Sequence, residues 1–203
     1  MKRSDFISLK DEVPETIIEL AYAGKHNFVG HSLPGYEKEL ALFPQILLSH
    51  FEKASSLALK RGYRLKIFDA YRPQKAVDFF IEWSQQEEDR EDLKERYYPK
   101  YSRSELFNEG YLAARSSHSR GTAIDLTIVE AKSLNDLDMG GHFDLFDEIS
   151  HTHNELITKL QKSAREELGA IMSEAGFTNY SKEWWHFSIR PAPWDQYLNF
   201  DIA

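Results

Sequence analysis

The stretch Gly121-Thr-Ala-Ile-Asp-Leu-Thr-Ile-Val129 decides the fold. Ala123, Asp125, Thr127 and Val129 fall on one side of an extended chain, and Ile124, Leu126 and Ile128 on the other. The apolar triplet demands a packing partner, and an acid opposite it demands a polar one. Upstream, Ser116-Ser-His-Ser-Arg120 reads as a turn, and Gly121 permits the bend into the strand. A second strand runs from Arg64 to Asp69, with Leu65 and Ile67 on one face. The turn Ala70-Tyr-Arg-Pro73 ends it and leaves Arg72 at the strand's end. A last strand spans about Trp184 to Ile189.

Helical spacing appears between these strands. Pro44 to Arg61 repeats Leu47, Phe51, Ala54 and Ala58, with Gly62 as its stop. From Gln74 a second helix buries Ala76, Val77, Phe80 and Ile81, then gives way to a solvated charged run at 85–92. Residues 97–115, rich in Tyr and Arg, read as a long surface loop of the kind that forms lids or binding walls, and 130–150 as irregular. Asn154 to Ala175 carries Ile157, Leu160, Ala164, Leu168 and Ile171 in one stripe, stopped by Gly176. No repeat or linker intervenes, and no regular βαβ rhythm appears. The expected fold is one α+β domain over 1–203: a small, mainly antiparallel sheet with the site on one face and the long helices on the other.

Composition narrows the function. A chain of 203 residues, 41% hydrophobic and 13% aromatic, can bury a full core. Its formal charge of -8, with 25 basic against 33 acidic residues, excludes a nucleic-acid footprint and suits a small substrate. The segment Met1 to Glu12 has no apolar export region, and no later stretch approaches the ~20 apolar residues of a membrane span. No membrane partner and a cytoplasmic location are therefore expected. Without a single cysteine, any metal must be held by His, Asp or Glu.

His118 and Asp125, with Glu183 and His186 from Glu183-Trp-Trp-His186, offer two imidazoles and two carboxylates, the composition of a catalytic zinc site. Three such groups can hold Zn²⁺ with one position open to water, and the remaining carboxylate can take that water's proton. Each cluster alone has a plainer reading. His118 is then a hydrogen-bonder in a Ser-rich turn, Glu183 a solvent-facing acid, and His186 a core residue beside Trp184 and Trp185. In a regular strand Glu183 would point away from His186, so it is expected in a turn or bulge that opens the strand. A mononuclear iron oxygenase also uses two histidines and a carboxylate, but has no need of an additional unligated base. A non-catalytic zinc-binding module is the third class. His151 and His153 read as a solvated helix entry rather than a second metal site.

Ser116 to Asp125, Glu183 to His186 and Tyr71-Arg-Pro73 together resemble the signatures of the VanX-type D-alanyl-D-alanine dipeptidases, a zinc family. Tyr22 with Asn27, Phe28 and Gly30 resembles that family's N-terminal segment, and Asp138-Met-Gly140 with Phe143 and Asp144 its second substrate loop. The similarity runs from about residue 20 to about residue 190. It implies a hedgehog/D,D-peptidase-like fold and one Zn²⁺ per chain held by His118, Asp125 and His186. It also implies Glu183 as general base and then acid, and Arg72 stabilising the oxyanion, against the plainer role of Arg72 as an ion-pair partner of Asp69. Ser116, Tyr22 and Asp144 would receive the free ammonium of a small dipeptide substrate. The implied activity is hydrolysis of D-alanyl-D-alanine; a carboxypeptidase acting on peptidoglycan stem peptides is the alternative within the same fold.

Overall fold

The computed structural model describes residues 1–203. Its strands are β1 (Phe6–Ser8), β2 (Ile17–Ile18), β3 (Leu42–Pro44), β4 (Tyr63–Asp69), β5 (Ala123–Glu130), β6 (Phe177–Tyr180) and β7 (Glu183–Ile189). Five of them form one sheet in the order β2-β4-β5-β7-β6, antiparallel except for the β2–β4 pair, while β1 and β3 form a separate antiparallel ribbon. The helices are α1 (Leu9–Glu12), α2 (Leu48–Lys60), α3 (Gln74–Ser84), α4 (Glu91–Tyr97), α5 (Glu105–Asn108) and α6 (Lys159–Glu174).

The alternation in β5 organises the core. Leu65 lies opposite Ile128, Ile67 opposite Leu126 and Phe187 opposite Ile124, so one sheet face is a continuous apolar layer. Helices α2 and α6 pack on each other and on strands β4 and β6, bringing Phe51, Ala54, Ala58, Leu168 and Ile171 to that layer. The opposite face of β5 is covered too: no residue from Ala123 to Val129 is more than 3% exposed. Asp125 is therefore a buried carboxylate, a costly placement unless charge or hydrogen bonds compensate it.

Several expected boundaries move. Pro44 closes β3, paired with Phe6, and a short 3-10 turn at Gln45–Leu47 precedes α2, because the chain stays extended to make that ribbon. Helix α6 begins at Lys159 rather than Asn154. Thr158 caps it reciprocally with Gln161, and this fixes the start, leaving Leu160 84% exposed and outside the stripe. His151 therefore lies in a loop ahead of the helix, 3.1 Å from the Tyr111 hydroxyl. The run at 85–92 is only partly solvated: Glu88 and Asp89 pair with the buried Arg103 at 2.9 and 2.5 Å. The segment 97–115 carries α5 and buries Tyr97, Tyr98 and Leu106, so it is a packed wall rather than a surface loop. Helix α3 departs from the expected layering, because its Phe80 meets the ring of Tyr22 on the site side of the sheet. No helix is long and apolar enough to cross a membrane.

Candidate active site

Strand register builds the floor of the site. Asp125 on β5 lies opposite His186 on β7, and a register irregularity after Ile67 brings Asp69 of β4 opposite Asp125. Paired residues share a face, so these three side chains form one row. His118 reaches the row from the turn ahead of β5. That turn is closed by hydrogen bonds from Gly121 N to His118 O (2.8 Å) and from Thr122 N to Ser117 O (3.0 Å). Gly121 has φ +75°, and a Cβ there would meet the Phe6 ring at 2.7 Å, so both conformation and space require glycine.

The His118 ring is oriented by Nδ1, which donates to the Ala70 carbonyl at 2.6 Å. In the neutral ring this leaves the lone pair on Nε2, which lies 3.1 Å from His186 Nδ1 and 3.2 Å from Asp125 Oδ2. His186 Nδ1 is 2.9 Å from Asp125 Oδ1, while its Nε2 faces the Ser117 hydroxyl at 3.3 Å. One donor atom from each of His118, Asp125 and His186 lies within 4.8 Å of the others. Tetrahedral bonds of ~2.0–2.1 Å impose ligand–ligand edges of about 3.3 Å, so two imidazole nitrogens and one carboxylate at these spacings fit Zn²⁺. Each imidazole also has a polar partner on its far nitrogen, as metal-ligating histidines do. Burial would raise Asp125, but His118 and His186 hold it below the ordinary carboxylate range. Burial lowers His186, with Asp125 opposing.

Glu183 joins the cluster through a break in the ladder. Asn179 pairs with Phe187 but the next residue, Tyr180, pairs with Glu183, so β7 carries extra residues at this point. The irregularity turns both Glu183 and His186 into one cavity, with Glu183 Oε2 3.9 Å from His186 Nδ1. Burial pushes the Glu183 carboxyl well above its usual range, and the nearby Asp125 and Asp144 add to the effect.

Arg72 extends from the end of β4 with its Nε donating to Asp69 Oδ2 at 2.8 Å and Nη2 3.5 Å from Asp125 Oδ2. The ion pair with Asp69 is thus present, and Tyr36 buttresses it by donating to Asp69 Oδ1 at 2.7 Å. The guanidinium lies 4.6 Å from the Tyr22 ring centroid. Burial opposes its charge, yet the Asp69 and Asp125 carboxylates beside it favour the protonated guanidinium. Tyr22 donates to Asp144 Oδ2 at 2.9 Å. Asp144 is buried with φ +61°, and burial first, then Asp125, push its carboxyl well up, with Tyr22 opposing. Ser116 sits at the cavity edge, its Oγ accepting from the His118 backbone N–H at 3.2 Å.

Every candidate from the sequence therefore borders one cavity of about 270 Å³, walled also by Phe80, Tyr111, Phe146, Tyr180 and Trp185. Sequence reading missed three supports: Ser117 behind His186, Tyr36 behind Asp69, and Arg165. Arg165 donates to the carbonyls of Met139 (2.7 Å), His151 (2.7 Å) and Ile149 (2.9 Å), clamping both ends of the loop that carries Asp144. A cation on the apolar side of a helix beside Leu168 and Met172 was the available signal.

The family model described as D-Ala-D-Ala dipeptidase, peptidase M15, matches residues 2–202. The D-alanyl-D-alanine dipeptidase of Streptomyces coelicolor is 38% identical over 200 residues, covering 98% of this chain and 98% of that one. The enzyme of that name from Enterococcus faecium is 40% identical over 182 residues, 89% of this chain and 90% of that one. Among solved structures, VanYB in complex with D-alanine-D-alanine aligns with a TM-score of 0.45 at 12% identity over 75% of this chain and 74% of that one, too loose a match to bear on the site. A family match across nearly the whole length, with relatives this similar end to end, establishes that the chain belongs to the peptidase M15 family of D-Ala-D-Ala dipeptidases.

Proposed function

We propose that this chain hydrolyses D-alanyl-D-alanine, or a similar short D,D-dipeptide, to free amino acids, using one Zn²⁺ held by His118, Asp125 and His186. The observation that carries the reading is the convergence of those three donor sets beside an additional buried carboxylate, Glu183, in a cavity small enough for a dipeptide. A bound Zn²⁺ supplies Lewis acidity toward the scissile carbonyl and toward water. Glu183, beside His186 and free of the ligand set, takes the proton of the attacking water and returns it to the leaving amine as the C–N bond breaks. Arg72, anchored through Nε to Asp69, presents a permanently charged guanidinium to the oxyanion that develops on the carbonyl oxygen.

Asp144, with Tyr22 and Ser116, receives the substrate ammonium. Tyr22 occupies one oxygen of the Asp144 carboxylate and leaves the other for the ligand. A cation there offsets the desolvation that otherwise favours the protonated acid. In this reading the enzyme works in the cytoplasm, where free dipeptide for cell-wall synthesis is available. Its test is a panel of L,L-, L,D- and D,D-dipeptides with zinc content verified by elemental analysis. D,D-dipeptide hydrolysis is expected, and its complete absence overturns the reading. Equal kcat/KM for free and N-acetylated D-Ala-D-Ala would replace it with a stem-peptide carboxypeptidase.

A further inference from the structure

Arg72 lies beyond the reach of the sheet that places its neighbours. The last ladder pair of β4 is Asp69 with Asp125, and Arg72 follows in the turn after it. Its own N–H donates to the His118 carbonyl at 3.3 Å. The residues on either side, Tyr71 and Gln74, are held by a distant stretch of chain, 194–202, none of which borders the catalytic cavity.

That stretch has almost no regular secondary structure, yet it ties three parts of the site together. Leu198 joins two of them through its own peptide groups. Its N–H donates to the carbonyl of Ser119 (2.7 Å), the residue after His118, and its carbonyl accepts from the N–H of Gln74 (2.9 Å), close after Arg72. Trp194 Nε1 adds a bond to the Arg120 carbonyl at 2.7 Å. Ile202 bridges to Tyr36, the residue that buttresses Asp69, with its N–H donating to Gly35 O at 2.8 Å.

The closest tie is to Tyr71. Its hydroxyl donates to the Phe200 carbonyl and accepts from the Phe200 N–H, each at 3.0 Å, so both peptide groups of one residue close on one side-chain oxygen. The two rings stack with centroids 4.2 Å apart, and Phe6 packs against both at 5.1 Å. Tyr71 is thus buried and fixed while Arg72, next in the chain, lines the cavity.

We propose that segment 194–202 is a strap that positions the Arg72 guanidinium for the transition state, with Tyr71 and Phe200 as positioning residues that never touch substrate. The inference rests on the oxyanion role given to Arg72. A displacement of about 1 Å in a group that acts only in the transition state can cost on the order of 10²-fold in rate, and it leaves ground-state binding alone.

Tyr71→Phe keeps the ring and removes both bonds to Phe200. Phe200→Ala removes the stack, and Phe200→Tyr keeps it. At zinc content equal to the parent's, Tyr71→Phe should lower kcat about three- to thirtyfold and Phe200→Ala about ten- to hundredfold, with KM unchanged, while Phe200→Tyr should match the parent. Neither loss should appear in an Arg72→Ala background, because a residue acting through Arg72 then has nothing to place. A merely structural role would multiply the losses. The Arg72 Nε–H resonance, identified by its absence in Arg72→Ala, gives a readout apart from turnover: its exchange with water should quicken in Tyr71→Phe as the bond to Asp69 loosens. Parent-like kcat or Nε–H exchange in Tyr71→Phe, loss of its zinc, or losses that multiply with Arg72→Ala overturn the inference, whether or not Phe200→Ala folds. Parent-like kcat in Arg72→Ala itself overturns the oxyanion role and the strap together, so the two failures are told apart.

Discussion

The metal-facing and substrate-facing halves of the site are held in different ways. Asp125 and His186 sit on paired strands, where ladder register sets their separation and a slip of one residue would turn both to the wrong face. Tyr22 and Asp144 lie outside the sheet: Tyr22 is held by the rings of Phe28, Tyr36, Phe80 and Phe143, and Asp144 by its hydrogen bond from Tyr22 and by the Arg165 clamp on its loop. Ladder-borne groups are placed by many backbone bonds acting together, whereas loop-borne groups are placed by a few side chains. Changes to the first half should therefore remove function outright, and changes to the second should alter selectivity.

The largest effect is expected at the sheet. His118→Ala, Asp125→Ala and His186→Ala should each lose zinc and activity together; normal zinc content in any of them by elemental analysis removes that residue from the ligand set. Glu183→Ala should keep zinc and lose activity by about 10² to 10⁴, the range of a lost general acid/base. If the metal also disappears, Glu183 belongs with the ligands.

The loop half should respond by degrees. Arg165→Met removes three charge-assisted bonds and should cost about 3 kcal/mol, which for a chain of this size lowers Tm by roughly 6–12 °C. It should also raise KM more than it lowers kcat while zinc is retained, and an unchanged KM would detach Arg165 from Asp144. Asp144→Asn should cut kcat/KM for free D-Ala-D-Ala by about 10- to 10³-fold, narrowing its advantage over the acetylated substrate.

Asp144→Asn also carries a signed pH effect. Burial and then Asp125 raise the folded-state pKa of Asp144, so its native contribution is fully present below the unfolded value of about 3.9 and is lost as pH rises through the folded value. In metal-free protein the variant should therefore gain Tm relative to the parent between pH 4 and pH 8. A constant difference would mean that Asp144 titrates normally. The smallest effect is expected at Leu160→Ala, within about 0.5 kcal/mol, because the side chain is exposed. A loss of 2 kcal/mol or more would put Leu160 back in the buried stripe.

Much of this was legible in the chain. Period-two alternation marked β4 and β5, period-3.6 spacing marked α2, α3 and α6, and the absence of cysteine confined metal ligands to His, Asp and Glu. The boundaries were less so. Pro44 suits a first helical turn, but pairing with β1 holds it extended; Thr158 and Gln161 outweigh the apolar repeat upstream and set the start of α6. The Tyr- and Arg-rich segment at 97–115 looked solvated because its aromatic residues lacked a simple period, yet tertiary packing buries them.

Sequence by itself determined which side chains were available for chemistry and which strand face could carry them, because residue type and side-chain alternation are local properties of the chain. The chain already called for a turn or bulge to bring Glu183 to the face of His186; only the tertiary structure decided that Asp69 joins the row of Asp125 and His186 and that Arg72 shares its guanidinium between Asp69 and Asp125. These are facts of register and burial, set by contacts between residues far apart in sequence, and no local pattern encodes them.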